Sequence, residues 1–477
     1  MCCGGRSRRS SRGVQRHRDR IGCSVPHRLV ACAGILKIDR GSRLVARIIT
    51  IADDLTGAAD CAAPSVAHGC KAVVLLHSLD LEREAWPEAD LLSIDLNTRC
   101  LSPERAAEVT THFVRLYEMK SAESSEYVLF KKIDSTLRGN IAHEIAALLQ
   151  VRRSSESFDR RLSILLAPAL PEQGRTTVCG RLLVHGRSAE KTDIWRFEPR
   201  NPPSSIPQLL SDAALSCALI DIEMVRSGLK FLRRAILEAA KRSDVVLCDA
   251  VTDSDLRAIV AASLRQPGIT SLVGSAGLAC HIPQSLGIIS KAAHHQGGFA
   301  IGPTLFVVGS ASSVSRQQSE LLSAMPEVAS YRTTPAVLHD SLAIRTQISQ
   351  SLQSGRDVLL SLQEDGQRSK QGDRLRGFSL ISSQCAPFIG GLVATGGETA
   401  RAILDGLGIH RLRVLGQVDP GMPFSVAECW QRPLPVITKA GAFGAPQALL
   451  RCLSFLRELQ RAPAPVRAND PLLSHES

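Results

Sequence analysis

The chain has 477 residues, of which 44% are hydrophobic and 22% charged, enough for two or three domains and typical of a globular enzyme rather than a disordered or fibrous chain. Aromatic residues make up 4%, so the core is built from Ala, Leu, Val and Ile, and aromatic platforms for stacking single-stranded nucleic acid are disfavoured. Of the net charge of +11, ten arginines and Lys37 against Asp19 and Asp39 place +9 in residues 1–45 and leave +2 for the rest, which speaks against nucleic-acid binding by the folded body.

No uncharged apolar run reaches the ~18 residues of a membrane span, so no membrane partner is expected. The leader, MCCGGRSRRSSRGVQRHRDR onward, is rich in Arg, Ser and Gly and reads as a non-structural tail over 1–45. An organelle transit peptide and an upstream extension from an early start codon are the other readings of such a segment. Four of the 14 cysteines (Cys2, Cys3, Cys23, Cys32) lie in it, and the other ten are scattered with no CxxC pair. Reduced thiols and a cytoplasmic location are therefore expected. His143, His185 and the pair His294-His295 lack metal-ligand spacing, and no metal site is assigned.

Order is expected to begin near Arg47. RIITI (47–51) reads as a buried strand, DDLTG as a turn, and the Ala-rich stretch after it as a helix. KAVVLL (71–76), LLSID (91–95), YVLFKKID (127–134), SILLAP (163–168), VVLCDAV (245–251) and SLVGSAGLA (271–279) are further strands. Ser102-Pro103 opens one helix and residues 140–150 form another. The pattern lapses over 286–303, a linker, and resumes with TLFVVGS (304–310) and a helix near 313–324. DVLLSL (357–362), GGLVATGG (390–397), RLRVLGQV (411–418) and LPVITKAGAFG (434–444) complete the series. Strands alternating with helices predict α/β architecture: two α/β domains, 46–285 and 304–458, with largely parallel sheets and a ligand cleft between them, and a flexible tail over 459–477.

Ligands of open parallel sheets bind beyond the carboxyl ends of the strands. Here those ends carry Asp53-Asp54, Asn97-Thr98-Arg99 and the run from Lys131 to Asn140 in the first half. In the second half they carry Gly309-Ser310, Thr395-Gly396-Gly397-Glu398 and Lys439 to Gly444. Paired carboxylates accept hydrogen bonds from hydroxyls, and Arg99 and Arg138 suit a carboxylate. Glycine turns at helix starts let backbone N–H groups approach phosphate. A sugar-acid half facing a nucleotide half is the layout of a small-molecule kinase. Each signal also has a plain structural reading: Asp53-Asp54 can cap the following helix, and Gly396-Gly397 can be a tight turn. Walker, GxGxxG and GxSxG motifs are missing, which counts against a dinucleotide-dependent oxidoreductase.

IADDLTGAAD, KKIDSTLRGN, APALPEQGRTT with LVHG, VGSAGLA, VVGSASS, ATGGETARAILDGLGI, VDPGMPF and ITKAGAFG, in this order from about 47 to 455, resemble the four-carbon acid sugar kinase family. The resemblance implies an N-terminal sugar-acid-binding domain and a C-terminal nucleotide-binding domain. It also implies ATP with Mg²⁺, and phosphorylation of the 4-hydroxyl of threonate, erythronate or 3-oxo-tetronate. The substrate residues so implied are Asp53, Asp54, Arg99, Lys131, Lys132, Ile133, Asp134, Ser135 and Arg138, with Asp54 or Asp134 accepting the hydroxyl proton. The nucleotide residues are Ser310, Thr395, Gly396, Gly397, Glu398 and Gly441. The chain departs from the family pattern at Ala59, Cys61, Glu398 and Ala442. The text KKIDSTLRGN tilts the expectation toward threonate or erythronate. A 3-oxo-tetronate kinase and a non-catalytic sensor of sugar acid or nucleotide are the alternatives, and whether the chain forms a homo-oligomer is left open.

Overall fold

The runs read as strands all form strands in the computed structural model, short apolar segments that are mostly buried on both faces of a sheet, the strand at 411–417 being the more exposed exception. The structure describes residues 47–77, 87–121, 127–155, 161–192, 195, 201–203, 205–288, 299, 302–310, 312–334, 337–338, 341–362, 371–428, 430 and 432–461. The basic leader, most of the expected linker 286–303 and most of the expected tail 459–477 lie outside these residues.

In chain order the strands are β1 (Arg47–Ala52), β2 (Ala72–Leu75), β3 (Leu91–Asp95), β4 (Tyr127–Lys132), β5 (Ser163–Ala167), β6 (Arg175–Val178), β7 (Arg181–Val184), β8 (Arg187–Ser188) and β9 (Cys217–Ile220). They continue with β10 (Val245–Cys248), β11 (Ile269–Gly274), β12 (Thr304–Val308), β13 (Val328–Thr333), β14 (Asp357–Leu362), β15 (Gly391–Thr395), β16 (Arg411–Gln417), β17 (Pro423–Ala427) and β18 (Leu434–Lys439). Strands β6 to β8 make a small antiparallel sheet. The other fifteen form one sheet, in the order β13-β14-β12-β15-β18-β17-β16-β2-β3-β1-β4-β11-β5-β10-β9.

The α/β class and the mostly parallel pairing are as expected. The two halves, however, share a single sheet: β17 runs antiparallel to β18 and β16, and β16 pairs antiparallel with β2. Periodicity does not reveal β9, β13 or β17. In β17 the first residue is Pro423, a position at which a strand tolerates proline. No helix among the described residues is long and apolar enough to cross a membrane. The nine described cysteines are all free thiols.

Helix α1 (Leu55–Ala67) fixes the relation between the halves. Nine of its thirteen residues are buried, and most of these are Gly, Ala, Ser or Thr. Small side chains let the backbone lie close to the sheet on several sides, as a helix buried nearly all round requires. It packs against β1, β2 and β3 from the first half and against β16, β17 and β18 from the second. Strands β1 and β15 are six pairings apart, which on a flat sheet is about 29 Å at ~4.8 Å per strand. Their carboxyl ends nevertheless meet, so the twisted sheet coils around α1.

A buried ion pair locks this arrangement. Arg401, on the Gly397–Gly406 helix, donates from Nη1 to Asp95 Oδ2 (2.6 Å) at the end of β3, and from Nε to Asp405 Oδ2 (3.1 Å). Burial pushes the Asp95 carboxyl up to about 6, although Arg401 pulls the other way. Replacing Arg401 by Met strands that carboxylate, at a cost of about 3–5 kcal/mol for a broken buried pair. Without its cation Asp95 titrates higher still, so the deficit is expected to be largest at pH 8 and smaller at pH 5, where the buried carboxyl is protonated. Urea unfolding of both proteins at the two pH values measures it.

Candidate active site

The first half contributes a cluster of carboxylates held by arginine. Asp54 caps α1, its Oδ1 accepting from Gly57 N (2.9 Å), so the capping role is real, and the same carboxylate also belongs to the cluster. Arg99 donates to Asp54 through Nη1 (2.8 Å) and Nη2 (3.0 Å) and to Asp53 Oδ2 through Nε (2.7 Å). The Asp53 carbonyl accepts from the amides of Thr98 (3.0 Å) and Arg99 (3.2 Å), which presses the loop after β3 against the end of β1. Asp134 accepts from Thr136 Oγ1 and from the backbone (3.2 Å), Nε (2.8 Å) and Nη2 (3.1 Å) of Arg138, with Arg99 Nη2 at 4.0 Å. Burial alone would raise Asp53 and Asp134. The Arg99 and Lys131 charges hold Asp53 below its ordinary value, and Arg138 and Arg99 hold Asp134 well below the usual carboxylate range.

The run Lys131–Asp134 divides by side-chain alternation. Lys132, Asp134 and Ser135 line a narrow cavity of about 20 Å³. Lys131 and Ile133 do not line it. Lys131 is fully buried, with Nζ 3.3 Å from Glu144 Oε2 and donating to the Lys132 carbonyl (3.2 Å), and Ile133 sits in the apolar core. Asp53 is also buried below the cavity surface, bound to Arg99. Arg99, Arg138 and Asp54 complete the lining from among the expected residues.

The second half brings its expected residues to the carboxyl ends of three neighbouring strands, β12, β15 and β18. Gly396, with φ at 98°, starts the Gly397–Gly406 helix in a conformation that a side chain would strain, and its amide donates to the Lys439 carbonyl (2.7 Å). The hydroxyls of Ser312 (2.8 Å) and Ser315 (2.6 Å) donate to the Gly441 carbonyl, and Ser310 lies against Gly441. Thr395 Oγ1 is buried without a partner among the described residues, and Glu398 accepts from Cys100 Sγ (2.6 Å) across the two halves. Under the loop Ala440–Gly444, the Lys439 ammonium donates to the carbonyls of Ala440 and Phe443 (both 3.0 Å). Burial lowers its pKa to about 8.

The halves meet at the cap of α1. A Cβ on Gly397 would stand 2.4 Å from Asp54 Oδ2 and 3.2 Å from Thr56 Oγ1. Ala440 and Phe443 close the cavity from the nucleotide side, so one cavity is lined by both halves. Three residues nearby were not singled out from the sequence. Asp60 lines the cavity one turn beyond Thr56, a spacing legible in the sequence once α1 is recognised. Phe443 lies over the Arg175 guanidinium (4.4 Å to the ring centroid), and Arg175 is buried with Nε and Nη1 unpartnered among the described residues. The turn that folds APALPEQGRTT back on itself, pairing Leu170 with Arg175, places it. Elsewhere, Asp253, Cys280 and His281 bring donor atoms within 4.8 Å of one another, but none lines the cavity.

Gly397 therefore has to lack a side chain. Gly397→Ala drives a methyl into the Asp54 carboxylate, and a loss of about 1–3 kcal/mol, the usual cost of overpacking, is expected by chemical denaturation.

The chain matches the family model of a sugar-binding N-terminal domain over residues 48–282 and that of a nucleotide-binding C-terminal domain over residues 305–449. It is similar to a D-threonate kinase of Cupriavidus necator, 34% identical over 87% of this chain and 99% of the relative. A 3-oxo-tetronate kinase of Pseudomonas fluorescens is 27% identical (83% and 93% covered), and a D-erythronate kinase of Heliobacterium modesticaldum is 27% identical (86% and 97%). Among solved structures the fold resembles Haemophilus influenzae protein HI1011, with a TM-score of 0.61, 20% identity and 85% and 99% of the chains covered. With both domain models matched in order and a relative of this identity over nearly its whole length, the chain belongs to the four-carbon acid sugar kinase family and is a sugar-acid kinase.

Proposed function

We propose that this kinase transfers the γ-phosphoryl group of ATP to the terminal 4-hydroxyl of a four-carbon sugar acid, D-threonate or D-erythronate ahead of 3-oxo-tetronate. The observation that carries this reading is the contact of Gly397 with Asp54, which sets a glycine helix start suited to phosphate directly against the polar residues suited to a sugar acid. The identity to D-threonate kinases and the run KKIDSTLRGN favour threonate or erythronate.

In this reading the acid's carboxylate faces Arg99 and Arg138. Arg99 spends three of its five N–H groups on Asp53 and Asp54, leaving two for a ligand. Substrate hydroxyls meet Lys132 and Ser135 on the cavity wall. Phosphates of ATP meet the amides at Gly397 and Gly441 and the hydroxyl of Ser310, with the turn at Gly396 and the orphaned Thr395 Oγ1 beside them. Glu398, in the first turn of the helix, supplies a hard oxygen of the kind that Mg²⁺ takes along with phosphate oxygens. When bound with ATP, Mg²⁺ neutralises charge on the phosphates. Phe443 and Ala440 cover the cavity and keep water from the phosphoryl group. The nine free thiols suit a cytoplasmic enzyme.

A screen of ADP release over D- and L-threonate, D- and L-erythronate and 3-oxo-tetronate tests the proposal. Turnover on a threonate or an erythronate, exceeding that on 3-oxo-tetronate, is the expected result. ADP release with none of these acids would overturn the reading, and preference for 3-oxo-tetronate would correct the substrate.

A further inference from the structure

Phosphoryl transfer to a hydroxyl needs an acceptor for the hydroxyl proton, and a carboxylate offers about four acceptor positions. Asp54 has all four filled: Gly57 N (2.9 Å) and Arg99 Nη2 (3.0 Å) on Oδ1, Thr56 Oγ1 (2.6 Å) and Arg99 Nη1 (2.8 Å) on Oδ2. Asp134 accepts four hydrogen bonds from Thr136 and Arg138 and has Arg99 alongside. Asp53 lies below the cavity surface. One acidic residue of the lining remains. Asp60 faces the cavity from α1, half-buried, and among the described residues its carboxylate makes no hydrogen bond or ion pair.

We propose that Asp60 is the general base of this enzyme, taking the proton of the terminal hydroxyl as that oxygen attacks the γ-phosphorus. This rests on the kinase reading above. The O–H bond breaks with its proton moving to an Asp60 oxygen, while the hydroxyl oxygen forms the new bond to phosphorus. The bond from phosphorus to the β–γ bridging oxygen breaks and its electron pair leaves on ADP. Asp60, in contact with solvent, then returns the proton to water.

The position suits the role because it lies where the halves join. On the second-half side, Asp60 meets the uncharged Gly421, whose added Cβ would be 3.9 Å from Oδ1, and Phe443 is next to that glycine. On the first-half side the charged groups facing it are Lys132 from β4 and Arg175 from β6, with Asp54 at the cap and Glu172 before β6. Burial pushes the Asp60 carboxyl up to about 6, with Asp54 and Glu172 adding to the rise and Lys132 and Arg175 opposing it. A base of that strength is ionised at neutral pH and still takes up a proton, whereas Asp134, held far lower by its arginines, is a poor acceptor.

The test is direct ADP quantitation for wild type, Asp60→Asn and Asp60→Glu across pH 5 to 9, on the best acid from the substrate screen. Wild-type kcat/KM is expected to fall on the acid side, through one ionisation at about 6. Asp60→Asn is expected to lower kcat by roughly 10²–10⁴-fold. It should also abolish the acid limb and leave the KM for ATP within about threefold, while Asp60→Glu keeps the limb and part of the rate. The folded carboxyl titrates above its unfolded value of 3.8, so its contribution to stability is present below about 4 and lost as pH rises through about 6. Asp60→Asn is therefore expected to melt higher than wild type at pH 8, which also checks that it folds. More than a tenth of wild-type kcat in Asp60→Asn with the limb unchanged, or in wild type no acid limb, would overturn the role for Asp60 and leave the kinase reading standing. No ADP from wild type with any acid would overturn both.

Discussion

The structure depends on neutralising several carboxylates that the fold crowds into one place. Asp53, Asp54 and Asp134 come from two strand ends, and their mutual repulsion in a buried site has to be offset by cations. Arg99 does this by reaching all three, at 2.7 Å, 2.8 Å and 4.0 Å. Its planar fork matches carboxylate geometry in a way that a lysine does not. Because Arg99 sits on the loop after β3, the ion cluster also ties together the ends of β1, β3 and β4. One wall of the cavity is thus cross-linked by charge.

The same cluster reaches the second half through α1. Its cap, Asp54, is fixed by Arg99, and the start of the Gly397–Gly406 helix rests against the same carboxylate. The helix interior is small and buried, so the coiled sheet closes on it from both halves. Any movement that opens the cavity has to leave this contact intact or break it. The loop carrying Ala440 and Phe443, held by hydrogen bonds from Lys439 and Gln318 to backbone carbonyls, is instead a separate cover.

Much of this was legible in the residues. The strand runs, the helix at Ala-rich 55–67, the polar strand ends and the glycine turn at 396–397 arise from local chemistry, and the family-model matches agree with the resemblance drawn from the motifs. The expected site residues mostly converge as well. Lys131 and Ile133 do not, because side chains alternate across a strand, and a contiguous motif in sequence presents only every second residue to one face. Asp60 and Arg175 were missed for the opposite reason. Each lies within a run that carries the resemblance, IADDLTGAAD for Asp60 and APALPEQGRTT for Arg175, but its surroundings come from remote segments that the run does not reveal.

By itself, then, the sequence determined the class of fold, the order of its two halves and the kind of chemistry at the strand ends, since helix and strand periodicity, capping and turn residues act over a few positions. Only the tertiary structure decided that the halves share a single sheet coiled on α1, which acidic groups are saturated by arginine, and which one keeps its lone pairs facing the cavity. Those outcomes depend on distances between groups up to several hundred residues apart along the chain, such as Asp54 and Gly397, and no local pattern encodes them.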